Sequence, residues 1–223
     1  MPTTLVLVRH GETDWNRDNR FQGRADPPLN DTGRAQARAL AEELRDRVFA
    51  AAYTSPLRRA HETATILADA LGLELLSHDA LEEVDVGSWS GLTREEVEAR
   101  FPAGHARWLD YGHGWDDGES YEELGARVVK GLTEIAAAQP GREILLVTHG
   151  GPIRSALAAA DGVAFEDARR SIHVIGNCAI IDLAVRDGRL ARPGLSACPP
   201  GSSRSSIRVS TSTTAHPAGR EGN

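Results

Sequence analysis

Apolar residues occur along this chain in short unbroken runs that alternate with longer stretches of helical spacing. The run Leu5–Val8 contains two β-branched residues and predicts a short buried strand of a parallel sheet. The run Ile144–Val147 repeats the construction far along the chain. Further strands are predicted over Ala51–Thr54, Leu73–Leu76 and Asn177–Leu183. Strands that alternate with helices are typical of an α/β domain.

Two of the intervening stretches carry clear helix signals. Asn30 is a predicted N-cap, and the apolar stripe behind it consists of Ala37, Leu40, Ala41, Leu44 and Val48. Ser55 is the predicted N-cap of the next helix, with Pro56 at the first helical position. Gly72 is its predicted C-cap. Both helices have an apolar face that we expect to pack on the sheet.

Other segments complete the outline. A capping box that begins at Ser120 predicts a third long helix. Residues 93–100 predict a short polar helix, and another helix is expected after Gly151. Asp14–Leu29 is polar, contains glycine and is closed by two prolines, so it predicts a loop.

Candidate chemistry appears where the two strongest strands end. Arg9 and His10 follow Leu5–Val8, and His149 follows Ile144–Val147. In open α/β sheets, ligands bind at the carboxyl ends of the strands, so the two histidines could meet at one edge. A cation and an imidazole there would form an anion site that contains a nucleophile. Strand ends that merely carry polar residues are the alternative.

Charge distribution points to the same kind of ligand. Arg58 and Arg59 occupy the predicted first turn of the helix after Ser55, where the helix dipole disfavours cations. A bound anion would reverse that effect, because helix N-termini and guanidinium groups both hold phosphate. A solvated charge pair is the alternative, chiefly for Arg58.

Three carboxylates crowd together further along, at Glu82, Glu83 and Asp85. Mutual repulsion, and burial beside Trp89, would favour a protonated form of one of them, which a general acid needs. An acidic surface turn would have the same composition.

Composition limits the choice of partner and compartment. The chain has 223 residues with an ordinary globular profile and a formal net charge of −7, which disfavours nucleic acid or an anionic membrane as the main partner. Its two cysteines, Cys178 and Cys198, form no disulfide framework and suit a reducing compartment. The first residues lack the pattern of a signal peptide. We therefore expect a cytoplasmic protein.

The last part of the chain differs from the rest. Residues 192–223 are rich in Ser, Thr, Gly, Pro and Arg, and predict a disordered tail. Within it, Cys198–Arg204 matches the Cys-x5-Arg pattern of cysteine-dependent phosphatases. That chemistry needs a thiolate between a buried strand and a helix N-terminus. No apolar run precedes Cys198, so we interpret the match as chance.

Four motifs are similar to those of the histidine phosphatase superfamily, in its phosphoglycerate-mutase-like branch. They occur in the family's order, as Arg9–Thr13 with Trp15, Asn16 and Phe21–Gly23, then Ser55–Ala60, Leu81–Gly91 and Ile144–Gly151. The resemblance runs from about Leu5 to about Leu183. It implies a three-layer αβα sandwich, a mostly parallel central sheet with helices on both faces. The catalytic domain would span 1–191, with a small cap at about 92–118.

The resemblance also implies a role for each motif residue. His10 would be the nucleophile, and Glu83 would transfer protons, with Glu82 as the alternative if the register differs by one. The groups expected to hold phosphoryl oxygens are Arg9, Arg59, His149 and Asn16. The residues expected to contact substrate are Asn16, Gln22, Gly23 and Gly150. No metal ligand set and no cofactor are implied.

Aromatic residues are concentrated between Phe101 and Gly118. The members of this group are Phe101, Trp108, Tyr111 and Trp115. We interpret the segment as a cap that sets substrate preference, although aromatic clusters commonly serve packing alone.

These observations predict a metal-independent phosphatase of small phosphorylated metabolites that forms a phosphohistidine intermediate. A bisphosphoglycerate-dependent mutase uses the same parts, but such mutases carry a longer segment with an Arg-Arg pair where this chain has Gly87–Gly91. A non-catalytic phosphate-binding module is a third hypothesis. The partner would be a small phosphorylated metabolite, and a homodimer is compatible with the sequence.

Overall fold

The computed structural model describes residues 1–172 and 174–193. The strands are β1 (Thr3–Arg9), β2 (Ala51–Thr54), β3 (Leu75–Ser77), β4 (Glu143–Thr148), β5 (Ile180–Arg186) and β6 (Arg189–Ala191). The first helices are α1 (Asp14–Arg17), α2 (Asp31–Leu44), α3 (Arg58–Leu71) and α4 (Arg94–Arg100). The later helices are α5 (Pro102–Leu109), α6 (Tyr121–Ala138), α7 (Gly150–Asp161) and α8 (Phe165–Ser171).

The described strands form one sheet in the order β3-β2-β4-β1-β5-β6. Strands β3, β2, β4 and β1 are parallel to one another, β5 is antiparallel to β1, and β6 is antiparallel to β5. β1 and β4 lie at the centre, and the pairing of Arg9 with Thr148 aligns their carboxyl ends. The prediction of an α/β fold with a mostly parallel sheet is confirmed.

The central strands are buried on both faces. Leu5 and Leu7 of β1 pack in an apolar cluster with residues of α6 and α7. Val6 and Val8, which point to the other face, pack in a second cluster with residues of α2 and α3. Successive side chains of a strand alternate between faces, so an unbroken apolar run fits a sheet covered on both sides. The three-layer arrangement is confirmed.

The start of α3 differs from the prediction. The helix begins at Arg58, and its N-cap residue Leu57 makes no side-chain cap. The backbone N–H of Arg58 donates to the Asp26 carboxylate instead. Ser55 and Pro56 precede the helix, and Ser55 Oγ accepts a hydrogen bond from Leu57 N. The predicted N-cap at Ser55 is therefore wrong, because a carboxylate from a distant loop takes that position.

The predicted loop over Asp14–Leu29 contains the one-turn helix α1, which a capping box between Thr13 and Asn16 stabilises. The predicted stripe of α2 extends too far, since the helix ends at Leu44 and Val48 is 81% exposed. Helix α8 is absent from the prediction. Its N-cap residue Ala164 provides no side-chain cap, whereas α4, which also has seven residues, carries a capping box at Thr93.

Two strands begin later than predicted. Leu73 N donates to Ala68 O, so the residues just before β3 belong to the C-terminal end of α3 and not to the strand. Strand β5 begins at Ile180, because Asn177 and Cys178 form a turn before it. Cys178 has a φ of 56°, a left-handed conformation that a strand does not accommodate.

Of the predicted tail, only Arg192 and Pro193 fall within the described residues. Arg192 donates two hydrogen bonds to the Asp161 carboxylate at 2.8 and 2.7 Å, so it is tied to the end of α7. The Cys198–Arg204 match lies outside the described residues. Among the helices that the structure describes, none is both long and apolar enough to traverse a lipid bilayer.

Candidate active site

The two strand-end histidines lie side by side. Because β1 and β4 are adjacent, His10 N donates to Thr148 O at 2.9 Å. The ring centroids of His10 and His149 are 5.1 Å apart, and both residues are buried. Neighbouring parallel strands thus place two imidazoles at one edge of the sheet.

The two ring nitrogens of His10 differ in protonation. Its Nδ1 lies 2.7 Å from Gly11 O, and since a carbonyl only accepts, Nδ1 carries the proton. Burial, and then the charges of Arg59 and Arg9, hold the pKa of His10 well below its usual 6.5. The ring is therefore neutral at pH 7, and Nε2 presents a lone pair.

The loop that follows His10 is held tightly. Gly11 N donates to Thr63 Oγ1 of α3 at 3.0 Å. A Cβ at Gly11 would lie 2.5 Å from Gly33 O, and a Cβ at Gly33 would lie 2.1 Å from Glu12 O. The loop backbone therefore touches the backbone of α2 directly. This contact fixes the position of the carbonyl that orients His10.

Arg9 and Arg59 are held by backbone carbonyls. Arg9 donates from Nη1 to Ile175 O. Arg59 donates to Ala25 O at 2.6 Å and to Gly23 O at 2.8 Å. The Nε groups of both arginines are buried, and neither has a hydrogen-bond partner among the described residues. Because such donors are normally paired, both are available to an anion.

The two guanidinium groups remain charged at neutral pH. Burial lowers the pKa of Arg9, and the Glu83 carboxylate opposes that effect. Burial lowers the pKa of Arg59 to about 10, again against the effect of Glu83. Two nearly enclosed cations beside a neutral imidazole constitute a strong anion site.

His149 lies behind His10 and does not line the cavity described below. Its Nε2 is 2.8 Å from Ser55 Oγ, and its buried Nδ1 has no partner among the described residues. Burial, and then the charge of Arg59, hold its pKa well below 6.5. Gly150, at the start of α7, also lies outside the cavity lining.

The structure distinguishes the three neighbouring carboxylates. Glu83 lines the cavity, and its Oε1 accepts from Gly151 N at 3.0 Å. Glu82 pairs with Arg24 at 3.3 Å. Asp85 accepts from the backbone N–H of Gly87 at 2.9 Å, which leaves Glu83 as the carboxylate at the site.

The predicted substrate residues Asn16, Gln22 and Gly23 all line the same cavity. Asn16 Oδ1 accepts from Thr13 N at 3.1 Å, so its amide hydrogens are the groups left to offer. The buried Gln22 Oε1 has no partner among the described residues. Gly23 contributes the carbonyl that positions Arg59.

The cavity has a volume of about 390 Å³ and a strongly cationic lining. The arginines that line it are Arg9, Arg20, Arg59, Arg94, Arg154 and Arg169. Glu83 is the single carboxylate in that lining. Trp108, Tyr111 and Trp115 from the predicted cap segment form part of its wall.

Sequence reasoning missed Arg20, Arg94, Arg154 and Arg169. Arg154 could have been predicted from the sequence, because it lies in the first turns of the helix that follows His149, as Arg59 does in α3. Arg169 lies on α8, so nothing local in the sequence marks it. Its place at the cavity depends on the packing of that short helix.

Other chemistry finds less support near His10. Burial raises the pKa of Cys178 to about 12, so its thiol stays protonated. Across residues 1–172 and 174–193, no three His, Cys, Asp or Glu side chains are grouped as metal ligands would be.

A family model described as the histidine phosphatase superfamily (branch 1) matches residues 5–192 of the chain. Phosphoserine phosphatase 1 of Hydrogenobacter thermophilus is 37% identical over 161 residues, which cover 71% of this chain and 76% of that protein. Bifunctional protein Rv2228c of Mycobacterium tuberculosis is 41% identical over 170 residues, or 74% of this chain. The match spans 47% of that protein's length, about half.

Among solved structures, mycobacterial glucosyl-3-phosphoglycerate phosphatase in complex with VO3 superposes with a TM-score of 0.74. It is 34% identical in sequence, and the match covers 81% of this chain and 92% of that one.

Proposed function

Since this chain belongs to the histidine phosphatase superfamily (branch 1) and is a phosphatase, we propose that it hydrolyses phosphomonoesters of small metabolites through a phosphohistidine on His10. The observation that carries the proposal is the pair of buried Nε donors of Arg9 and Arg59, which have no partner in the described part of the chain, beside a neutral imidazole. A tetrahedral dianion satisfies these donors and presents phosphorus to Nε2.

In the first step, a bond forms between His10 Nε2 and phosphorus while the ester P–O bond breaks. The departing alkoxide takes a proton from the Glu83 carboxylic acid and leaves as an alcohol. In the second step, the Glu83 carboxylate removes a proton from water, whose oxygen attacks the phosphohistidine. Inorganic phosphate leaves, and both His10 and Glu83 return to their starting forms.

The positive charge for both steps comes from the chain itself. Arg9 and Arg59 bind the equatorial oxygens, and the amide of Asn16 donates a further hydrogen bond. Ser55 Oγ, 2.8 Å from Nε2 of His149, holds that ring beside His10, and the proposed role of His149 is to donate from Nδ1 to a phosphoryl oxygen. Because guanidinium groups neutralise the developing charge, we propose no metal ion in the reaction.

Trapping with a ³²P-labelled phosphomonoester in an alkaline denaturing quench tests the assignment of His10. We expect label that is stable to base and lost in acid on the wild-type protein, and none on His10→Ala. The control His61→Ala removes an exposed histidine of α3 and should retain the label. Label that persists on His10→Ala would overturn the mechanism.

A second assay separates hydrolysis from mutase activity. With 3-phosphoglycerate as substrate, we expect inorganic phosphate to accumulate without conversion to 2-phosphoglycerate. Isomerisation without phosphate release would assign the chain to the mutases instead.

We also propose a cytoplasmic location, in line with the low cysteine content. Fractionation of the source cell would test it, with recovery in the membrane or exported fraction as the contrary result.

A further inference from the structure

Burial divides the cavity lining into two parts. Arg9, His10 and Arg59 are enclosed, and they form the phosphoryl site proposed above. Arg94 is exposed and Arg169 half-buried, and both lie against Trp108 of the cap. The two enclosed arginines already match the two charges of a phosphomonoester. The outer arginines therefore exceed what the phosphoryl group requires.

Both outer arginines pack on one aromatic ring. The guanidinium carbon of Arg94 lies 5.0 Å from the centroid of Trp108, and that of Arg169 lies 4.6 Å from it. Such contacts hold cations in place without neutralising them. Two like charges at one ring repel each other, so the arrangement favours an anion close to both.

The chain does not supply that anion. Within the described residues, neither Arg94 nor Arg169 has a carboxylate within ion-pair distance. Arg20, by contrast, is engaged by Glu96 at 3.3 Å. Arg169 donates from Nη1 to Trp108 O at 3.0 Å and to Gly112 O at 3.3 Å. These bonds orient its guanidinium group and use only one of its nitrogens.

We propose that Arg94, Arg169 and Trp108 form a second anion subsite, so that the preferred substrates carry a carboxylate or a second phosphate on the alcohol side of the ester. This inference rests on the proposed phosphatase function and names the substrate class of that site. The phosphoryl group binds at Arg9 and Arg59, and the second anion reaches the outer arginines. A neutral alcohol leaves those cations without a partner.

Matched substrate pairs test the subsite. 3-Phosphoglycerate and glycerol 3-phosphate differ by a carboxylate, whereas fructose 1,6-bisphosphate and fructose 6-phosphate differ by a phosphate. We expect wild-type kcat/KM to favour the first member of at least one pair by about tenfold or more, as for a hydrogen bond to a charged group. The pair that shows the preference identifies the second anion.

Two variants attribute the preference to the subsite. Arg169→Gln and Arg94→Gln should each lower kcat/KM for the doubly anionic substrate about tenfold. For the singly anionic substrate, kcat/KM should stay within about twofold of the wild-type value. Arg94 makes no hydrogen bond to the described chain, so its substitution removes only its packing contact with Trp108. The matched controls are Arg170→Gln on α8 and Arg100→Gln on α4, neither of which lines the cavity. Both should keep the wild-type ratio.

Hydrolysis of p-nitrophenyl phosphate distinguishes failure of the second anion subsite from failure of the proposed phosphatase function. If the wild type hydrolyses it but prefers neither doubly anionic substrate, the subsite is overturned and the phosphatase function stands. Variants that lower kcat/KM equally for both members of a pair would also overturn the subsite, since a structural role predicts that result. If the wild type hydrolyses none of the substrates, the proposed function itself fails.

Discussion

His10 becomes a usable nucleophile through its surroundings. A free imidazole is partly protonated near pH 6.5, but burial and two arginines keep this ring neutral, and the Gly11 carbonyl selects the tautomer with a free Nε2. In the proposed mechanism, the cations that bind the phosphate therefore also keep the attacking nitrogen unprotonated. Substrate binding and activation of the nucleophile would then follow from one electrostatic arrangement.

Glu83 is the residue on which proton transfer depends in the proposed mechanism. We expect Glu83→Gln to lower kcat by about 10²- to 10⁴-fold, because the amide cannot exchange a proton with the leaving group or with water. For p-nitrophenyl phosphate, whose leaving group needs no proton, the phosphohistidine should accumulate. Steady-state kinetics measures the decrease in kcat, and rapid quench with ³²P-labelled substrate measures the accumulated phosphohistidine.

Glu82→Gln is the matched control for that experiment, since Glu82 pairs with Arg24. It should stay within about threefold of wild type, as expected for a partly exposed ion pair. A larger loss for Glu82→Gln than for Glu83→Gln would contradict the choice of residue.

At the residue scale, the sequence indicated most of the cavity's inner part. Arg9, His10, Arg59 and Glu83 line one cavity, although their roles remain predictions. Arg9, His10 and Arg59 were recognisable because each stands in a local motif at the end of a strand or the beginning of a helix. Glu83 was recognisable from the motif Leu81–Gly91 alone. The outer arginines carry no such mark, since their position follows from how α4 and α8 pack.

Helix starts show where local prediction succeeds. The N-cap at Asn30 and the capping box at Ser120 are confirmed, and strand β2 has the predicted bounds. At both helix starts the stabilising contacts lie within four residues, so a short stretch of sequence contains them. The start of α3 depends on Asp26, which lies 32 positions away. No reading of the neighbouring residues reveals that contact.

The beginning of α7 supports Glu83 through a close approach. A Cβ at Gly151 would lie 2.3 Å from Glu83 Oε1. Gly151→Ala should therefore displace the carboxylate and lower kcat by about tenfold or more, as a misplaced catalytic group does.

Gly125→Ala on α6 serves as the control, because no atom lies within 4 Å of a Cβ there. This change should leave kcat unaltered and raise the free energy of unfolding by about 0.5 to 1 kcal/mol. Steady-state kinetics and urea unfolding give the two readouts. Equal activity of Gly151→Ala and wild type would contradict the positioning argument.

At the scale of the molecule, the strand order produces the site. β4 inserts between β1 and β2, so histidines 139 positions apart in the chain become neighbours. Alternating strands and helices predicted the parallel part of the sheet. The antiparallel pairing of β6 with β5 follows from the short turn at Asp187 and Gly188, and strand β6 was not predicted.

Two buried neutral histidines make folding sensitive to acid. In the unfolded chain, His10 and His149 bind protons near pH 6.5, whereas the folded state keeps both pKa values well below that. The unfolded state thus binds more protons as the pH falls below about 6.5, and the free energy of unfolding decreases. At higher pH this contribution is constant.

Urea unfolding at pH 7.5 and 5.5 measures the effect. The decrease between these values should be smaller for His10→Ala than for wild type by about 1 kcal/mol, because one of the two histidines no longer titrates. Equal decreases would show that His10 takes up a proton as readily in the folded protein as in the unfolded chain, which would contradict the lowered pKa.

The contact between Gly11 and Gly33 limits how such an enzyme can change over evolutionary time. Neither position accepts a side chain while the other backbone stays in place, so no sequence of single, individually tolerated substitutions leads away from the pair. Descendants with new substrate ranges must then vary elsewhere, and the wall formed by α4, α5 and α8 is open to change. Related enzymes that dephosphorylate different substrates should therefore share the contact between Gly11 and Gly33. They should differ in the residues of α4, α5 and α8.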